Sequence, residues 1–86
     1  MTNNGRKTQT ILRWEFTRGS ERMSCQVDHE VSGRNAGAFA VIGLPYKRMQ
    51  RASIEVFGSA MAALRRHAAM AADLRAMGWK LVAHTN

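Results

Sequence analysis

The chain has little of what a secreted, metal-bound or membrane-embedded protein of its size would need. It carries a single cysteine, Cys25, so no disulfide can form within it, whereas small secreted domains are usually stapled by several. A reducing, cytoplasmic setting is expected. Zinc ligands come in fours, or in threes with an open position, at characteristic spacings, whereas this chain offers one Cys and three scattered His. No metal and no cofactor are expected. The longest apolar run, Ala36 to Leu44, is nine residues, and a spanning helix needs about 20. No membrane partner follows from it. The amino terminus, Met1 to Thr8, is polar and lacks the apolar core and cleavage site of a secretory signal. The glycines at 33, 37 and 43 match neither the Walker spacing nor the dinucleotide fingerprint. No nucleotide loop is expected.

What remains is a chain of 86 residues with 45% hydrophobic and 22% charged side chains, too apolar for wholesale disorder and too short for two cores. Residues 1–9 are expected to be a disordered basic tail, and residues 10–86 a single small domain. A domain of this size leaves little room for an enclosed pocket, so no catalytic residues are assigned and an enzyme is not expected.

Period-two alternation marks the first two strands. Leu12, Trp14 and Phe16 share one parity against Arg13 and Glu15. Met23, Cys25, Val27, His29 and Val31 alternate with Ser24, Gln26, Asp28 and Glu30. A loop at Arg18–Glu21 pairs Thr17 with Arg22, Phe16 with Met23, Trp14 with Cys25 and Leu12 with Val27. Both apolar faces then coincide, and a one-residue slip would turn one of them to water. Ala38–Leu44 predicts a third strand stopped by Pro45. Residues 51–57 read either as a fourth strand with Ile54 and Val56 inward, or as the start of a helix at Ser53 that would carry Gly58 in its second turn, at about 1 kcal/mol relative to alanine.

Ser59 is placed to cap a helix running through Met77, with Gly78 as its left-handed stop. Ala60, Ala63, Leu64, His67, Met70, Ala71, Leu74 and Met77 fall on one broad face, the predicted core stripe. Trp79 to Ala83 alternate again. The fold class expected is α+β: a mostly antiparallel sheet of four or five strands with one long C-terminal helix on one face, in the order ββββα or ββββαβ. This order is similar to that of the single-stranded-DNA-binding coactivator and Pur-type modules, without their residue motifs. The likeness is of element order and carries none of their site residues onto this chain.

Cys25, His29 and His67 have the chemistry of a nucleophile, a base or a ligand. Each lies on an inward face without further ligands at suitable spacing, so packing roles are expected for all of them. The collective signal is basic. Thirteen Lys and Arg stand against six Asp and Glu, for a net charge of +7, and most of the cations are Arg, suited to bidentate phosphate contact. The densest segment gives the candidate nucleic-acid-binding residues Tyr46, Lys47, Arg48 and Arg51, with Arg34 from the preceding loop. The expected function is therefore a small basic non-enzymatic binding domain, nucleic-acid-associated through an electrostatic Arg/Lys patch, with DNA or RNA bound non-specifically. The alternative is a protein–protein interaction or homodimerisation module, with a partner protein or a second copy seated on an unpaired sheet edge or on the helix face around Ala62, Ala69, Ala72 and Ala76.

Overall fold

A computed structural model of the chain describes residues 7–34, 36–45 and 52–85. The elements run β1 (Lys7–Arg18), β2 (Glu21–Ser32), β3 (Phe39–Pro45), β4 (Ser53–Phe57), α1 (Ala60–Ala76) and β5 (Lys80–Thr85). The chain is thus ββββαβ, in the α+β class. The five strands form one sheet in the order β4-β3-β2-β1-β5, every neighbouring pair antiparallel. The helix leaves one edge of the sheet, crosses one face, and delivers the chain to the opposite edge.

The first hairpin has the register that its alternation predicts: Thr17 opposite Arg22, Phe16 opposite Met23, Trp14 opposite Cys25 and Leu12 opposite Val27. Arg18 and Glu21 also pair, which shortens the loop to Gly19 and Ser20. Gly19 has φ 60 and Ser20 does not share the positive sign, the pattern of a type II′ turn that matches strand twist. β1 begins at Lys7, so residues 7–9 of the expected tail are strand. An irregularity between Thr10 and Leu12 switches the parity of β1 there. Thr10 consequently lies on the same face as Asp28, and its hydroxyl donates to Asp28 Oδ1 at 2.7 Å.

Residues 53–57 are a strand, and the helix starts only after Gly58 and Ser59. Ser59 Oγ accepts from the Ala62 amide at 3.2 Å. At the other end Trp79 N–H donates to Leu74 O at 2.9 Å and Gly78 N–H to Arg75 O at 3.0 Å, with Gly78 at φ 92. Those two bonds form a Schellman stop, and Trp79 and Leu74 both join the core.

The core lies between helix and sheet: Phe16, Cys25, Val27 and Val41 from below, Ala63, Ala71 and Leu74 from above, with His67 among them. Small residues on the helix and Gly43 on β3 bring the two layers close. A Cβ at Gly43 would stand 3.3 Å from Met70 Cε and 2.9 Å from Ser53 Oγ. Two members of the predicted stripe fall outside it, because this narrow seat is filled by positions 63, 67, 71 and 74. Leu64 is 42% and Met77 56% exposed.

The larger correction concerns β4. Ile42 pairs with Ile54, and Val41 with Glu55, so Glu55 and Phe57 face the helix while Ile54 and Val56 point away from it. Ile54 is 63% and Val56 64% exposed, the reverse of the inward parity predicted for them. On the helix side Glu55 meets Arg66, whose Nε donates to Oε1 at 2.9 Å and whose Nη2 donates to Oε2 at 3.0 Å.

Candidate interaction face of the sheet

The helix covers one face of the sheet, and among the described residues no element covers the other. Cross-strand pairing orders that open face into rows. One row runs Arg13, Gln26, Ile42, Ile54 from β1 to β4. The next toward the first hairpin is Glu15, Ser24, Leu44, and the next away from it is Thr10, Asp28, Ala40, Val56. The β3–β4 half is therefore aliphatic, and the β1–β2 half polar and charged.

A groove of about 410 Å3 crosses the face near the first hairpin, lined by Arg13, Glu15, Arg22, Ser24, Leu44 and Val82 among others. Val82 reaches it because the pairing of β1 with β5 is irregular between Glu15 and Phe16, which places Val82 as an extra residue on β5 and leaves it 58% exposed. A smaller depression of about 100 Å3 lies between Asp28, Ile42, Ile54 and Val56. The polar half is held in place by Asp28, which accepts from Gln26 Nε2 at 2.9 Å as well as from Thr10.

Of the candidate nucleic-acid-binding residues, Tyr46, Lys47, Arg48 and Arg51 lie outside the described residues. Arg34 is exposed in the β2–β3 connection, at the end of the sheet opposite the first hairpin. The described cations divide between the two faces. Arg13, Arg22 and Lys80 belong to the open face. Arg66 is held by Glu55, and Arg75 lies over the Trp14 ring at 5.5 Å. Arg18 pairs with Glu21 at 3.1 Å, donates to Met77 O at 3.2 Å and lies over Trp79 at 4.7 Å. The helix-face alanines Ala69, Ala72 and Ala76 are exposed.

Cys25 and His67 sit in the packed layer, His29 is half-buried and His84 is exposed. Cys25 is fully buried, its Sγ 4.0 Å from Met70 Sδ, and burial pushes its thiol up to about 11 against a smaller opposing pull from Arg66. His67 is 2% exposed. Its Nε2–H donates to the Cys25 carbonyl at 3.0 Å, and the Trp14 ring meets it edge-on at 5.0 Å. Burial lowers its pKa, and the bond to the carbonyl opposes that shift. His29 stacks on Phe39 at 4.3 Å. Among the described residues no three His, Cys, Asp or Glu side chains gather to hold a metal, and no helix is long and apolar enough to cross a membrane.

Sequence reasoning missed the aliphatic face of β3 and β4. Its signal was Glu55 between Ile54 and Val56: alternation separates two faces without saying which one meets the helix, and the choice depends on the complementary Arg66 eleven residues on. No family model, no curated protein and no solved structure matches the chain.

Proposed function

We propose that the chain is a non-enzymatic protein-interaction module that associates with a second copy of itself through the open face of its sheet. The observation that carries this reading is the parity of β4: Ile54 and Val56, each more than 60% exposed, continue Ile42 and Leu44 into one aliphatic surface away from the helix. Contiguous apolar surface of that kind marks an interaction site. Binding rather than catalysis is supported by the packed positions of Cys25 and His67, which already serve the core.

Sedimentation equilibrium on the full chain tests it. The wild type should be dimeric at micromolar concentration, and Ile54→Asp should be monomeric with an unchanged circular dichroism spectrum, since an exposed position tolerates the change in the free chain. A wild type that stays monomeric up to about 100 µM, an affinity weaker than about −5.5 kcal/mol, would overturn the proposal.

A second reading, nucleic-acid association, is favoured by Arg13 and Arg22 in the large groove with Lys80 opposite Thr17 one strand away. Under it the candidate cations Lys47, Arg48 and Arg51, which lie outside the described residues, are tested for phosphate contact by substitution to Ala alongside Arg13. Affinity for mixed-sequence DNA or RNA should then fall with salt by a log–log slope of about −0.7 to −0.9 per phosphate contacted. A titration showing no salt-dependent association would remove it.

A further inference from the structure

We infer that the flank of α1 turned toward β5 forms a shelf that stacks the bases of single-stranded nucleic acid. The shelf lies on the helix side of the sheet, away from Ile54 and Val56, and does not depend on a second copy.

The helix packs chiefly over β2 and β3, which leaves the β1–β5 margin of that side less covered. Trp14 and His84 pair across β1 and β5, and their rings lie 6.5 Å apart at this margin. Trp14 is half-buried and His84 exposed. Leu64 and Arg75, about three helical turns apart, share one flank of α1 with Ala68. Arg75 fixes where that flank points, because its guanidinium lies over the Trp14 ring at 5.5 Å. Leu64 beside it is 42% exposed, an apolar wall for the shelf.

The acids of the chain all lie elsewhere. Of the six Asp and Glu, Glu15, Asp28 and Glu30 belong to the open face. Glu21 is held by Arg18 and Glu55 by Arg66. Asp73 is seven residues from Arg66, on the flank of α1 away from Arg75. Rings and a cation therefore meet at the shelf with no carboxylate beside them.

Arg75 is exposed and has no ion pair among the described residues. It meets Trp14 through the face of its guanidinium, so its in-plane N–H groups remain for a phosphate, and the uncharged ring does not neutralise it. Arg18 lies over Trp79 at 4.7 Å in the same way, but Glu21 and the Met77 carbonyl already hold it, so no phosphate is assigned to it.

A nucleobase suits this arrangement because bases stack on aromatic rings and on guanidinium planes while the neighbouring phosphate meets the charge. The strand must be single, since duplex bases already stack on one another. An acidic peptide would satisfy Arg75 and leave the rings unused. The open face has cations, but the three rows that cross it contain no aromatic side chain.

Titration with oligothymidylate and oligouridylate of about 12 nucleotides tests the shelf, with polyglutamate and a duplex of equal length beside them. In Trp79→Phe, where Trp14 is the only indole, either single strand should quench the fluorescence, and the duplex and polyglutamate should bind more weakly. Arg75→Gln and His84→Ala, each checked for native circular dichroism and read by anisotropy of a labelled strand, should each weaken binding about tenfold, near the loss of one stacking contact. Arg75→Gln should also flatten the log–log salt slope by about 0.7, and Arg75→Lys should restore the slope without restoring the full affinity. Binding that survives Arg75→Gln and His84→Ala but is lost with Arg13→Ala overturns the shelf in favour of the open-face groove. Binding without quenching, polyglutamate binding equal to that of the single strands, or no association up to about 100 µM at low salt also overturns it. A monomeric chain that binds with these losses upholds the shelf and refutes self-association alone.

Discussion

Acid should unfold this protein partly through His67. The imidazole is sealed between helix and sheet, 2% exposed, with one ring nitrogen donating to the Cys25 carbonyl and the Trp14 ring edge-on beside it. Charging the ring would put a second N–H and a full positive charge into that layer, and burial accordingly lowers its pKa. The sign follows from proton counting. The unfolded chain takes up a proton near the ordinary value of about 6.5 while the native chain does not, so protons favour unfolding. The stabilisation is fully present above that value, is lost as pH falls through it, and levels off once the lowered native pKa is passed. The loss is at most about 1.4 kcal/mol per pH unit within that window. The assay is urea unfolding of the wild type and His67→Phe at a series of pH values from about 7.5 to about 5, reading the difference in unfolding free energy. His29, His84 and the carboxylates are common to both chains and cancel. The difference should be constant above neutrality and should fall with acidification. A flat difference would mean that the folded chain takes up the proton as readily as the unfolded one, and a difference that grows as pH drops that the fold favours the charged ring; either would refute the packing account of His67.

Two further outcomes separate the packed layer from the surface. Leu74→Ala should cost about 2 to 5 kcal/mol, because Leu74 closes the core beside the Schellman stop, and Leu64→Ala, at a side chain 42% exposed, about 1 kcal/mol or less; equal losses in thermal or urea unfolding would refute the helix orientation. Cys25 should react with iodoacetamide only on unfolding, and because its native thiol is pushed up to about 11, the wild type should lose stability relative to Cys25→Ala as pH rises through about 9 toward that value, where the unfolded thiolate forms and the native one does not. Rapid labelling of the folded chain at neutral pH would contradict it.

The hairpin was legible because two independent constraints agreed: loop length and the coincidence of apolar faces on β1 and β2 admit one register, and Trp14 lies opposite Cys25 as they require. The helix limits were legible for a similar reason, since Ser59 and Gly78 each have a specific backbone role. The breadth of the helix stripe was not. Projection at 100° per residue admits Leu64, and the exclusion of Leu64 comes from the close approach at Gly43 and the alanines, a property of two layers together. Basic clustering in the sequence likewise could not show that Arg18, Arg66 and Arg75 take partners within their own chain. The open face was least legible, because it is defined by what the helix does not cover.

The register of β4 connects the fold to the proposed association. Slipping β4 by one residue against β3 would turn Ile54 and Val56 to the helix and Glu55 and Phe57 to water. Burying the two aliphatic side chains would gain about 1.5 to 3 kcal/mol each. Against that stands the burial of Phe57 beside Phe39, of similar size for one side chain. The part-exposed Glu55–Arg66 pair adds up to about 1 kcal/mol. The Ser59 cap, two residues after Phe57, would be drawn out of place at about 1 kcal/mol. Within one chain the two registers are therefore close in free energy. Covering the open face breaks the near-tie, because the observed register then buries Ile54 and Val56 between copies while keeping Phe57, the ion pair and the cap. Association stabilises only the state that it binds, so a second copy would secure the strand register as well as the interface.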